Sequence, residues 1–409
     1  MMPMRTARRT RNLSECVGAI LLTLSASAVC ASGGMLVDKH RLSSSLARLE
    51  STLQAPYDCS SSAINSTAHR AVLRQLTRHL QDAGMMTHSD AAGNLIGRVN
   101  GRHAWPALVM GSRIDRPSPH ALCAGLAGAM AAVEVARTLH DNGTVLDHPL
   151  EIIVWADSAS RMPDDDLDEL AINQRAAGSI AAYLEVQVGH DEVLPPGNAA
   201  LGVVQRLAAI QRWNVRLVSD DSDPTTAEQH RQLLEAASQF SAAVADLEQS
   251  APATRKPELV PTLPRVTHNA AADTRFRLHL CAQRMDEVDT LFAAVHGLAD
   301  RIGEETGTRF NMARVLALPA RDTDPKISEA IGIATSQLQL SHVGLHGDCR
   351  HAAHGIPALA PLGLIIVPGV DTSRGINLSP PLPDALANGA NTLLRTLLEL
   401  DKLRQERSR

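Results

Sequence analysis

The chain reads as an α/β protein with a mixed sheet, interrupted in sequence by a smaller α+β insert. Two patterns predict this. Short apolar runs alternate with helical segments toward both ends of the chain, as at PALVMGS (106–112), LEIIVWA (150–156) and GLIIVP (363–368). A strand covered on both faces reads as such a run, and strands separated by helices build a partly parallel sheet. In the middle of the chain the period changes. Trp213, Val215 and Leu217, and again Phe276, Leu278 and Leu280, alternate with polar residues, as in antiparallel strands with one open face.

The elements follow in order. Leu73, Leu76 and Leu80 share one face of a helix over 69–84, with Gly84 as its C-cap. DAAGNLIGRVNG (90–101) reads as two short strands with turn residues at their ends, and 106–112 as a buried strand. Small apolar residues over 124–140 predict a helix packed on the sheet, and 150–156 the next buried strand. In the insert a long helix runs over about 226–247. Residues 250–272, rich in Pro and Ala, read as loop. A second helix carries Val288, Leu291, Phe292, Val295, Leu298 and Ile302, and a further strand covers 308–316. Asp324-Pro325 then caps a helix, 363–368 is a buried strand, and 383–400 is an amphipathic helix bearing Leu386, Leu393, Leu397 and Leu400. The expected division is a targeting segment at 1–31, an α/β domain in two pieces at 36–208 and 324–409, and the insert at 209–323.

Composition excludes several classes. The chain has 409 residues, 44% of them hydrophobic, enough for a large core. A formal charge of −5 opposes a strongly basic nucleic-acid binder, and four Phe, three Trp and two Tyr leave little for base stacking. Seventeen His invite a metal-enzyme hypothesis. None of the six Cys, at positions 16, 30, 59, 123, 281 and 349, forms a CxxC pair, which disfavours a zinc ribbon or a thioredoxin-like site. At the N-terminus Arg5, Arg8, Arg9 and Arg11 precede an apolar stretch ending in Val29-Cys30-Ala31, the pattern of a secretory signal peptide and too short to favour a membrane span. Export to the periplasm or medium is expected, with a cytoplasmic location as the alternative.

Several segments, in order, resemble the hydantoinase/carbamoylase-type amidohydrolases, the family of N-carbamoyl-L-amino-acid hydrolase and allantoate amidohydrolase in the aminoacylase/carboxypeptidase metallohydrolase clan. They are DAAGNLIGR (90–98), GSRID (111–115), IIVWADSASRM (152–162), YLEVQVGHDEVL (183–194), LGVV (201–204), PLGLIIVP (361–368) and NGANTLLRTLLEL (388–400). The resemblance implies a metallohydrolase-like α/β domain, an insert acting as lid and dimerisation domain, and hydrolysis of an amide or ureido C–N bond. It also implies two divalent ions, zinc or manganese, that activate a bridging water, with a glutamate moving the proton.

Carried over residue by residue, the family's ligand positions are all substituted. They hold Arg113, Ala124, Ser158, Gln187 and Gly375. Asp157 stands at the general-base position, where the family has Glu, and Asp115 keeps the place of the carboxylate that orients a ligand His. A guanidinium at position 113 repels a divalent ion by several kcal/mol even when partly screened. On the substrate side, Arg161, Arg212, Asn269 and His351 match or approximate cleft residues. The expectation is a degenerate homologue without a metal cofactor. It would bind a small carboxylate-bearing ligand and pair with itself or an active paralogue, with no nucleic-acid or membrane partner. The alternative is an active hydrolase with relocated ligands drawn from His342, His346, Asp348, His351 and His354, of which His351 and His354 could share a helical face.

Overall fold

The structure is a computed structural model. It describes residues 34–52, 67–90, 93–114, 119–155, 176, 178–189, 194, 199–219, 227–251, 255–262, 274–347, 360–369 and 383–407. Two compact units are distinguished, Met1–Leu36 and Val37–Arg409; the second holds every element described below.

Among the described residues one sheet has nine strands: β1 (Met86–Ser89), β2 (Leu95–Val99), β3 (Ala107–Arg113), β4 (Leu150–Trp155), β5 (Ile180–Val188), β6 (Leu201–Leu207), β11 (Arg321–Asp322), β12 (His342–His346) and β13 (Leu362–Val367). The spatial order is β1-β2-β4-β3-β5-β13-β6-β11, with β12 on the other edge of β6. Strands β4, β3, β5 and β13 run parallel, β1 and β2 are antiparallel to their neighbours, and β6 is antiparallel to β13 and β11 but parallel to β12. Every residue of β4 and of β13 is buried, which is why these strands carry no alternation. The other described elements of this part are α1 (Lys39–Thr52), α2 (Thr67–Asp82), α3 (Pro119–Asp141), α6 (Pro325–Gln337) and α7 (Pro383–Arg407). Helix α3 packs on β3 and β5, and α7 on β5 and β13. The Asp324 carboxylate accepts from the amides of Lys326 and Ile327, and Pro325 opens the first turn of α6, so the expected cap forms.

A second sheet contains β7 (Ala209–Ser219), β8 (Lys256–Thr262), β9 (Thr274–Ala282) and β10 (Thr308–Leu318), in the antiparallel order β10-β7-β9-β8. Helices α4 (Ala227–Ser250) and α5 (Met285–Thr306) cover one face. Val215, Leu217, Phe276, Leu278 and Leu280 meet Phe240, Val244, Leu291 and Val295 there, the burial that the alternating pattern predicts.

Three expectations need correction. Residues 250–272 are not all loop, because Lys256–Thr262 forms β8. Pro257 and Pro261 disguise it in the sequence, but β8 is an edge strand, where a missing N–H costs no ladder bond on its open side. The strand pair expected within 90–101 lies earlier: β1 ends at Ser89, and β2 begins at Leu95. There the Asp90 carboxylate accepts from Asn94 N and Nδ2, the Asx chemistry of a tight turn. The helix expected from 124 begins at Pro119, since proline suits a first turn.

Candidate functional site

The parallel strands β3, β4, β5 and β13 end on one side of the nine-stranded sheet, at Arg113, Trp155, Val188 and Val367. Arg113 ends β3, beside Trp155 at the end of β4. On β5 the residues Tyr183, Glu185 and Gln187 alternate with Leu184 and Val186, so all three project from the same face of the strand. They form a chain of hydrogen bonds. Trp155 Nε1 donates to the Tyr183 hydroxyl at 2.9 Å, the hydroxyl donates to Glu185 Oε2 at 2.8 Å, and Gln187 Nε2 donates to Glu185 Oε1 at 2.8 Å. Tyr183 and Glu185 are buried and Gln187 half-buried. Burial pushes the Tyr183 hydroxyl well above its ordinary pKa, the Glu185 charge adds to this, and the Arg113 cation opposes it. Tyr183 therefore stays protonated and donates.

Two glycines make room for this arrangement. A Cβ on Gly111 would lie 2.0 Å from the Tyr183 hydroxyl, and one on Gly125 would lie 1.6 Å from the Arg113 carbonyl oxygen. The first lets the tyrosine cross β3. The second lets α3 dock against the strand end, where Ser112 Oγ donates to the Gly125 carbonyl at 2.8 Å.

The structure thus brings Arg113 and Gln187, two of the five positions that the sequence resemblance aligns with metal ligands, to neighbouring strand ends. Ala124 lies in α3, with its side chain outside the described residues, and Asp115, Asp157, Ser158, Arg161, Asn269, Asp348, His351, His354 and Gly375 also lie outside them. Arg212 is half-buried on β7, opposite His279 of β9. His342 and His346 fall on β12, an extended strand that separates them by about 13 Å, and His342 Nδ1 is 2.9 Å from Thr335 Oγ1. They do not converge as an i, i+4 pair on a helix would. Among the described residues, no three His, Cys, Asp or Glu are grouped to hold a metal ion, and no helix is long and apolar enough to cross a membrane. Sequence reasoning missed the Trp155–Tyr183–Glu185 chain. Its signal was present as polar residues at every second place of an otherwise apolar strand.

No protein-family model matches the chain. It is 23% identical, over 370 residues, to the N-carbamoyl-L-amino acid amidohydrolase of Geobacillus stearothermophilus, covering 79% of this chain and 88% of that protein. The chain is a homologue of the carbamoylase-type amidohydrolases. The fold agrees. A hydantoinase/carbamoylase family amidase from Burkholderia vietnamiensis superposes with a TM-score of 0.72 at 18% identity, over 90% of this chain and 98% of that one. The Bacillus subtilis YXEP protein, a dinuclear metal binding peptidase from the M20 family, superposes with a TM-score of 0.52 at 12% identity, over 88% and 99%.

The described residues of this carbamoylase homologue do not fit two such ions. Gln187 spends its amide N–H on Glu185, and both Glu185 oxygens already accept hydrogen bonds. Arg113 contributes a permanent cation at the end of β3, which disfavours a divalent ion beside it. What the described residues offer instead is a guanidinium at the end of β3, beside the hydrogen-bonded chain of β5, a group suited to an anionic oxygen.

Proposed function

We propose that this carbamoylase homologue is catalytically impaired, retains a cleft for a small carboxylate-bearing ligand, and acts as a binding or partner subunit. The carrying observation is Arg113 at the end of β3, beside the hydrogen-bonded Tyr183–Glu185–Gln187 chain. By the sequence resemblance, position 113 is one of the family's metal-ligand positions, and a guanidinium there disfavours a divalent ion while its fork matches a carboxylate. Arg212 on the second sheet supplies a second cation to the same reading, and Arg161 a third from the sequence. Residues 209–323 are assigned as the unit through which two chains pair. The Arg-rich, apolar N-terminal segment supports export, and so does a disulfide at Cys281.

Elemental analysis of the purified full chain, with turnover of N-carbamoyl-L-amino acids and allantoate, tests the proposal. The expected result is far less than one zinc or manganese per chain and no hydrolysis above background after either metal is added. Two ions per chain with turnover would overturn it. Ligand binding is read separately, as a rise in melting temperature with N-carbamoyl-L-amino acids that Arg113→Gln abolishes.

A further inference from the structure

Helices α1, α2 and α3 pack on one another, and a polar stripe runs between them. Helix α1 contributes Arg41, Ser45 and Arg48, and α3 contributes Glu134, Arg137 and Asp141. The spacings of three and four residues set each group along one helix face. Helix α2 contributes His79 and Asp82. Glu134 is fully buried and accepts from Arg41 Nε at 2.9 Å and from Nη2 at 2.7 Å, while Arg41 Nη1 donates to Asp141 at 2.7 Å. Arg48 Nη2 donates to Ser45 Oγ at 3.2 Å. The guanidiniums of Arg41, Arg48 and Arg137 thus face the carboxylates of Glu134, Asp141 and Asp82, and these charges balance only while His79 is neutral.

Arg137 Nη2 lies 2.6 Å from His79 Nδ1. A guanidinium only donates, so Nδ1 accepts and the neutral ring carries its proton on Nε2. The Arg137 side chain is 9% exposed, and its nearest carboxylates stand off at 3.8 Å (Glu134) and 3.9 Å (Asp82). A proton on Nδ1 removes the acceptor and sets two cations against each other in a half-buried place. Asp82 offsets part of this, but it is largely exposed. Burial, Arg137 and Arg48 together hold the His79 pKa below its ordinary 6.5, against the pull of Asp82. The remaining titratable groups nearby are turned elsewhere. His140 of α3 is exposed beside Gly84. Strand β2 meets α2 at Gly97, where Leu80 packs; Arg98 is paired with Glu151, and His88 of β1 is exposed.

We infer that the His79–Arg137 contact is an acid-sensitive latch, whose protonation frees α2 from α1 and α3 while the sheet core stays closed. The open state binds the His79 proton more tightly than the closed state does. The stabilisation from the latch is therefore fully present above the unfolded pKa of 6.5 and is lost as pH falls from there toward the lower folded value. The freed helix would uncover Val72, Leu76 and Leu80, all buried in the closed state, and it leads into β1, which ends the strand order of the sheet. Glu50 on α1 works in the opposite sense, because burial raises its pKa to about 7. Only the part of the pH response that disappears with the imidazole belongs to the latch, which stands independently of any ligand assigned to the cleft.

Hydrogen exchange of the full chain tests it, read on peptides of α2, β4 and β13 over a pH series and corrected for the intrinsic exchange rate. A closed state that excluded the proton entirely would raise the opening of α2 by about tenfold between about pH 7.5 and about pH 5.5. A rise between about twofold and that limit is expected in the wild type, with β4 and β13 unchanged. His79→Gln keeps an acceptor for Arg137 in its amide oxygen and has no proton to gain, so its α2 exchange should change by less than about twofold. A wild-type rise below about twofold would overturn the proposal, and that arm decides without the variant. So would an equal rise in His79→Gln, or a rise shared by β4 and β13.

Discussion

Glu50 and Glu185 show how place decides the behaviour of a carboxyl group. Both Glu185 oxygens accept hydrogen bonds from Tyr183 and Gln187. Glu50, partly buried on α1, has one oxygen with no hydrogen-bond partner among the described residues, and burial pushes its pKa from 4.5 to about 7. The folded state thus holds the Glu50 proton more tightly than the unfolded chain does. The resulting stabilisation is fully present below the unfolded pKa of about 4.5 and is lost as pH rises through the folded value near 7. Glu50→Gln carries no charge at any pH. It is expected to flatten the fall in stability between about pH 5 and about pH 8, and to exceed the wild type at the upper end. Urea melts at four pH values in that window read the difference, and parallel curves for the two proteins would refute it. The Glu50 role is not visible in the sequence, because a glutamate on a helix face looks the same whether its carboxyl meets water or a packed neighbour.

At the scale of elements, the strands that close the core were the most legible. LEIIVWA and GLIIVP are apolar at nearly every place, and β4 and β13 are buried throughout. Strand β8 was illegible because its two prolines are breakers anywhere but on an edge, and edge position belongs to the sheet rather than the segment. Strand β3 depends on one residue the sequence offered only as part of a motif. Gly111 leaves space for the Tyr183 hydroxyl 2.0 Å from where its Cβ would stand. Backbone on one side and a buried ring on the other leave no soft direction. Gly111→Ala is expected to destabilise by about 3 kcal/mol, at the upper end for overpacking a core. It should also red-shift Trp155 fluorescence less than unfolding does, as the Trp155–Tyr183 bond breaks inside an otherwise folded chain. Denaturant titration with both probes checks this, and a loss under about 1 kcal/mol would show that the strand can yield.

Across the whole molecule, two cores stand apart. One lies on the nine-stranded sheet around Val109, Ile153, Tyr183 and Ile366, and the other lies between the four-stranded sheet and α4 and α5. Phe240 is fully buried in the second, with Phe276 and Phe310 at ring distances of 6.0 Å and 5.0 Å. Phe240→Ala is expected to cost roughly 3–5 kcal/mol, confined to residues 209–318. Hydrogen exchange in mild denaturant should show lost protection in β7, β9 and α5, with β3, β4 and β13 unchanged. Uniform loss would mean that the two cores unfold as one. The candidate site was legible in part. Arg113 and Gln187 were marked by position in matching motifs, and the structure sets them on neighbouring strand ends. The polar chain beneath them was not marked, because hydrogen bonds between strands depend on register.

The sequence by itself determined the alternation of buried strands and helices and the change of period in the middle of the chain. These are properties of residue type and spacing, and apolar periodicity carries them directly. Tertiary structure alone decided that Tyr183, Glu185 and Gln187 form a hydrogen-bonded chain with Trp155, that a proline-bearing segment becomes an edge strand, that Glu50 loses water on one side, and that Arg137 of α3 meets His79 of α2. Each depends on which residues distant in sequence are pressed together, and on how much solvent that packing leaves around them.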